Sequence, residues 1–229
     1  MRALSATELL SVWESGSNQL PLQRALTILA VACSEDSADS LARLTIGQRD
    51  ARLLALRQMT FGSEITGLTN CRECGETMQL SFNPSDFHSL TEAEPPNEFV
   101  VEGNGRELHF RLPTSVDLLA INSPEQLLER CLIDGGDRLT ENLRAAVGEK
   151  MSSADPMADI RLTLNCPNCQ HKWEAPFDIL AFLWREISAA AHRLLREVHT
   201  LASAYGWTET EILSLSPARR RAYLEMASA

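Results

Sequence analysis

Long apolar runs are missing from this 229-residue sequence. No stretch approaches the ~20 consecutive apolar residues that a membrane-crossing helix needs. The start, Met1-Arg2-Ala3-Leu4-Ser5, turns polar at Thr7, Glu8 and Glu14, and so lacks the apolar centre of a secretory signal. The expected compartment is a cytoplasm, either a cell's own or that of an infected host, with no membrane partner. Positive charge is also scarce, with 21 Lys and Arg against 31 Asp and Glu and a formal charge of −10. Non-specific nucleic-acid binding depends on cations that neutralise phosphates, so this balance disfavours it. The one basic run, Arg219-Arg220-Arg221, reads as a solvated helix face. The five histidines (His88, His109, His171, His192 and His199) are scattered. There is no nucleophile elbow, glycine-rich phosphate loop or His-Glu-x-x-His pair, and no two carboxylates stand out. The expectation is a protein that is not an enzyme and takes no small-molecule substrate.

The hydrophobic share of 44% and charged share of 23% are those of an ordinary globular chain. The length allows one large domain or two small ones. Residues 1–66 read as helical: Leu4, Leu9, Leu10 and Trp13 recur at helical spacing, a second helix follows Pro21, and a third runs from Thr45 to Met59. Residues 84–97 form a proline-rich acidic connector. A hairpin follows, with Phe99-Val100-Val101 and Leu108 to Leu112 flanking Gly103-Asn104-Gly105. Short helices come next, one capped by Thr114 or Ser115, one opened by Ser123-Pro124, and one from Thr140 to Lys150, with Gly135-Gly136 as a break. Ile160 to Leu164 alternates like a strand. From Pro176 a long helix carries a broad apolar stripe from Ile179 to Tyr205, with Gly206 as its stop. Thr208 to Glu211 is a capping box for a short helix, and Ser216-Pro217 opens the last one. The stripe is more apolar area than one helix can hide, so it packs on the N-terminal helices or docks on a partner.

Of the six cysteines, Cys33 and Cys131 stand alone in apolar patterns and read as buried thiols. The other four form two Cys-x-x-Cys pairs whose surroundings match. Asn70-Cys71-Arg72-Glu73-Cys74-Gly75 is followed by Met78, Phe82 and Asn83, and Asn165-Cys166-Pro167-Asn168-Cys169-Gln170 is followed at the same offsets by Trp173, Phe177 and Asp178. Each such turn points two sulfurs at one centre, and two turns supply the four thiolates of a tetrahedral zinc site. A closed four-cysteine site leaves no position for water or substrate, so the zinc is expected to be structural. Metal binding supplies about 10–16 kcal/mol of folding free energy, which two ribbons with little core would need. Internal disulfides fit poorly in a reducing compartment, and neither pair has the thioredoxin-like context of a redox centre. Four cysteines also suit an iron–sulfur cluster, and the sequence leaves that open.

The expected architecture is therefore α+β and mostly helical: a four-cysteine zinc ribbon with a long inserted hairpin-plus-helices segment and a long C-terminal helical arm. Its parts are an N-terminal helical region (1–66), a first knuckle (67–83), an insertion (84–159), a second knuckle (160–178) and a docking arm (179–229).

Three stretches resemble a known family. The first runs from Gly47-Gln48-Arg49-Asp50 through Phe61-Gly62 into the first cysteine pair. The second is Asp159 to Cys169 followed by Gln170-His171-Lys172-Trp173. The third is Ile187 through Tyr205-Gly206-Trp207 to Ile212-Leu213, then Arg219-Arg220-Arg221-Ala222-Tyr223-Leu224. Together, over most of residues 45–229, they resemble the tail-baseplate proteins of contractile phages and related injection systems, in the group named for the T4 base plate hub-assembly protein. Gln170 departs from the pattern, because a glycine commonly follows the second cysteine of a ribbon. The resemblance implies an assembly chaperone or structural role at the baseplate or its hub, in the host cytoplasm during assembly or in the virion tail. The partners it implies are other tail proteins of hub, spike or wedge. Trp184, Trp207, Ile212, Leu213, Arg219, Arg220, Tyr223 and Leu224 are then the expected docking residues. The rival readings are a nucleic-acid-binding zinc ribbon and an enzyme with a zinc-stapled insertion.

Overall fold

The computed structural model describes residues 1–84, 87, 95–103, 106–133 and 140–227. The expected turn at Asn104-Gly105, the break at Gly135-Gly136 and His88 lie outside them. The chain is mixed α/β, with helix predominating.

Local capping decides where most helices begin. Helix α1 (Ala6–Gly16) starts behind a reciprocal capping box, in which Ser5 accepts from the Glu8 amide and Glu8 accepts from the Ser5 amide. Pro21 opens α2 (Pro21–Ala32), where its missing N–H costs nothing. A short α3 (Ala38–Ala42) follows, capped by Ser37. Thr45 and Gln48 form the capping box of α4 (Ile46–Phe61), and Gly62 closes that helix at φ +97°.

The first cysteine pair sits at the tip of a hairpin, β1 (Ile65–Asn70) against β2 (Thr77–Phe82). The next hairpin pairs β3 (Phe99–Gly103) with β4 (Arg106–Phe110). Helices α5 (Ser115–Leu119), α6 (Pro124–Cys131) and α7 (Glu141–Ala154) follow, then a 3-10 turn at Pro156–Ala158. The second cysteine pair tips a third hairpin, β5 (Arg161–Asn165) against β6 (Lys172–Pro176). Each of these sheets has two strands.

Helix α8 (Ile179–Tyr205) is capped by the Asp178 carboxylate and ends at Gly206 in the left-handed region. Helices α9 (Glu209–Ser214) and α10 (Pro217–Ala227) complete the chain.

Of the two placements open to the stripe of α8, packing on the N-terminal helices is the one found. The apolar stripe of α8 lies in the main core, where Leu183, Ile187 and Ala191 are buried with Ile28, Leu29, Leu53 and Leu56 of α2 and α4. The reason is area. A 27-residue helix with one continuous apolar face loses about 25 cal/mol per Å² of hidden surface if that face stays wet, and the N-terminal helices present the matching face. A buried ion pair fixes the register. Arg57 on α4, 3% exposed, donates to both carboxylate oxygens of Glu186 on α8 at 2.8 and 2.7 Å, and to the Gly62 carbonyl at 2.7 Å.

The stretch between the cysteine pairs has a small core of its own, with Phe99, Phe110, Leu112 and Val147. It is fastened to the start of α4 by several polar contacts. The Ile46 amide donates to the Pro113 carbonyl at 3.2 Å, and Thr45 bridges Thr114. Asp155 accepts from the Gly47 amide at 2.9 Å, which satisfies one of the orphan N–H groups of that helix end. Within the segment, Arg111 grips Asp117 through two bonds of 2.6 and 2.8 Å, and Thr114 donates to the same carboxylate.

Candidate metal centre and docking surface

The two cysteine turns are built alike. In the first, the Gly75 amide donates to the Cys71 carbonyl at 3.0 Å, and the Cys71 amide donates to the Glu76 carbonyl at 2.8 Å. In the second, the Gln170 amide donates to the Cys166 carbonyl at 2.9 Å, and the Cys166 amide donates to the His171 carbonyl at 2.9 Å. Both turns need a left-handed residue after the second cysteine. Gly75 meets this at φ +75°, whereas Gln170 adopts φ +59° with a full side chain. Among the described residues, Gln170 is the one non-glycine with positive φ.

The structure brings Cys71, Cys74, Cys166 and Cys169 together, with all four sulfurs within 4.8 Å of one another. Across the two turns, Cys71 Sγ lies 3.6 Å from Cys169 Sγ, and Cys74 Sγ lies 3.6 Å from Cys166 Sγ. These gaps are too long for a disulfide, whose sulfurs sit ~2.05 Å apart. They match the edge of a tetrahedron built on zinc–sulfur bonds of ~2.3 Å, which is about 3.8 Å. Cys71 and Cys166 are buried, while Cys74 and Cys169 face solvent. Met78 and Trp173, at equivalent places in the two hairpins, pack over the buried pair. His171 stacks on Trp173 at 5.5 Å rather than joining the sulfurs. Asn168 Nδ2 lies 3.7 Å from Cys74 Sγ, a further donor that the spacing of cysteines did not reveal.

The electrostatics of the cluster favour a cation. The Glu76 N–H, together with neighbouring thiols as donors, pulls Cys74 down to about 7. At Cys169 the His171 N–H also favours the thiolate, but desolvation and the three neighbouring sulfurs outweigh it and push the group up to about 12. One thiolate forms readily at Cys74, while a second at Cys169 is opposed by the sulfurs around it. A bound dication removes that opposition, so the donor set suits one ion held by four thiolates. A multi-iron cluster would hold its sulfurs further apart than a single ion does. Cys33 and Cys131 are buried away from the site, and burial pushes Cys131 up to about 11.

The expected docking residues divide into two groups. Ile212 and Leu213 are 0% and 8% exposed, and Arg220, 5% exposed, is tied to Glu197 at 2.9 Å and to the Leu215 carbonyl at 2.6 Å. These three are committed inside the chain, where they fasten α9 and α10 to the body. Trp184 is half-buried, with its ring under the Arg24 guanidinium at 4.5 Å and against Gly16. Trp207 and Tyr223, both half-buried, join exposed Tyr205 in an aromatic trio with ring centroids 4.7 to 5.7 Å apart. Arg219 is exposed beside them, and Leu224 is half-buried. Trp207, Arg219 and Tyr223 line one cavity of about 250 Å³ with Glu211.

The class is thus a mixed α/β protein whose four clustered cysteines could hold a metal ion and which displays an aromatic surface at its C-terminal end. Over residues 5–184 it matches the family described as T4 bacteriophage base plate protein, and the chain belongs to that family. The match includes residues 5–44, ahead of the first of the stretches that carried the resemblance. It stops at Trp184, before the C-terminal stretch that carried part of the resemblance. Neither the curated proteins nor the solved structures offer a match. No helix among the described residues is long and apolar enough to cross a membrane.

Proposed function

We propose that this chain is a zinc-stapled, non-catalytic structural or assembly protein of a contractile phage tail baseplate, and that it binds hub, spike or wedge proteins. Family membership over residues 5–184 is the observation that carries the reading. The zinc part rests on the four sulfurs within 4.8 Å and their tetrahedral spacing. On this view residues 67–83 and 160–178 are two knuckles of one ribbon, residues 84–159 are its insertion, and the ion locks the two hairpins to each other. The aromatic trio of exposed Tyr205 and half-buried Trp207 and Tyr223, with Arg219, is the docking face, because aromatic residues and arginine dominate binding hot spots.

The test has two readouts. Metal analysis of the purified protein is expected to return one zinc per chain. A tagged copy recovered after nuclease treatment from cells producing particles is expected to carry other baseplate proteins. Recovery of polymerase subunits or protected nucleic acid in their place would support the nucleic-acid reading.

A further inference from the structure

A trough runs between the N-terminal end of α1, the C-terminal end of α4, and the facing sides of α8 and α10, with a volume of about 620 Å³. Its size falls within the ~300–1,000 Å³ typical of ligand and anchor pockets. Leu9, Phe61 and Leu194 form an apolar floor. On α8, Ala190, Arg193, Leu194 and Glu197 lie on one face, at spacings of three, four and seven. On α10, Pro217, Arg220, Arg221 and Leu224 do the same.

The charges of the trough are uneven. Its acid, Glu197, is already matched by Arg220 at 2.9 Å. Arg193 and Arg221 stand on opposite walls, both exposed, and neither side chain has a hydrogen bond or ion pair among the described residues. Two unmatched guanidinium groups thus face one apolar trough on a chain of net charge −10. Arginine suits planar, bidentate carboxylate recognition.

We infer that this trough is the seat of an amphipathic acidic segment of a neighbouring baseplate protein. Its apolar side chains lie on the floor, and two carboxylates meet Arg193 and Arg221. A free phosphate would leave the floor uncovered, and two cations cannot hold a nucleic acid against ten net negative charges. The inference rests on the proposed baseplate role and adds the chemistry of the partner. It also separates two surfaces on α10: Arg219 and Tyr223 face the aromatic cavity, while Arg221 and Leu224 face the trough.

A photo-crosslinking residue at Pro217, which is exposed on the trough wall, tests this in assembling particles, with one at exposed Gln79 of β2 as the control. The Pro217 adduct is expected to map to a segment of another baseplate protein that carries apolar residues and at least two Asp or Glu. The double variant Arg193→Glu, Arg221→Glu is expected to lower recovery of that protein at least tenfold, with far-UV dichroism and melting temperature unchanged. Lysine at both positions should retain most of the binding. An adduct on a basic or uncharged segment, an adduct on nucleic acid, or no effect of charge reversal would overturn the inference while leaving the baseplate role standing. Absence of the protein from particles and from every complex with baseplate proteins would remove both.

Discussion

Replacing Gly47 by Ala is usually a favourable change inside a helix, worth up to ~1 kcal/mol. In this chain the prediction is the reverse. A Cβ on Gly47 would lie 1.8 Å from Asp155 Oδ1, 2.6 Å from Asp155 Cγ and 3.0 Å from the Ala158 amide nitrogen. Asp155 must then withdraw and lose its 2.9 Å bond to the Gly47 amide. A hydrogen bond to a charged group contributes about 1.5–3 kcal/mol. Displacing the packed turn at Pro156–Ala158 adds about 1 kcal/mol. Subtracting the helix-propensity gain leaves a net destabilisation of about 2 kcal/mol, or roughly 4–8 °C in melting temperature for a chain of this length. The assay is a double-mutant cycle read by thermal and denaturant unfolding. Asp155→Ala removes the obstructing carboxylate, so Gly47→Ala in that background should cost less than ~0.5 kcal/mol. If Gly47→Ala is as stable as the parent, or costs the same with and without the Asp155 carboxylate, the tertiary-cap argument fails.

Three further outcomes are expected. Cys71→Ser or Cys166→Ser should abolish stoichiometric zinc and melt the two cysteine hairpins, while Cys33→Ser or Cys131→Ser should leave the metal content intact. Full zinc retention in Cys166→Ser, measured by elemental analysis, would refute a shared site. Gln170→Gly should stabilise the metal-bound protein by about 0.5–1 kcal/mol, because it relieves a left-handed residue that carries a side chain; equal or lower stability would place the strain elsewhere. Acid should loosen the segment between the cysteine pairs. Desolvation opposes ionisation of Asp117, but Arg111 and Thr114 outweigh it and hold the carboxyl well below the usual range. The folded state therefore binds this proton less tightly than the unfolded one. The stabilisation is present above the ordinary aspartate value of about 3.9 and is lost as pH falls below it. Melting curves across that range should show Asp117→Asn to be less stable at neutral pH and flatter toward acid.

Features set by short-range chemistry were readable in advance. Helix α8 stops at Gly206, and α9 begins at the Thr208–Glu211 box, because capping involves residues three or four apart. The cysteine cluster was readable for a related reason: two matched local turns have one economical way to satisfy four thiolates. Helix α3, five residues long, was too short to display a period. The contacts that orient the parts were invisible, since Asp155 caps an amide 108 positions away and Arg57 meets Glu186 across 129. Ile212 and Leu213 illustrate a different limit. Periodicity tells that a face is apolar but not what covers it, and these two are covered by the chain itself. Residues 1–44 showed little that was distinctive, yet the family match begins at residue 5.

The 91 residues between Cys74 and Cys166 place the two halves of the cysteine cluster on opposite sides of a long detour in the chain. The elements before the detour and those after it share the main core, in which α2 and α4 face α8, and they meet again at the sulfurs. A backbone cut within the detour would therefore not release either fragment. The two pieces would stay associated until the core melted and the four cysteines came apart, so a nicked chain would still behave as one particle. The same topology makes it divisible: two separately expressed fragments, joined at the four cysteines and a helical interface, would have what they need to rebuild the whole.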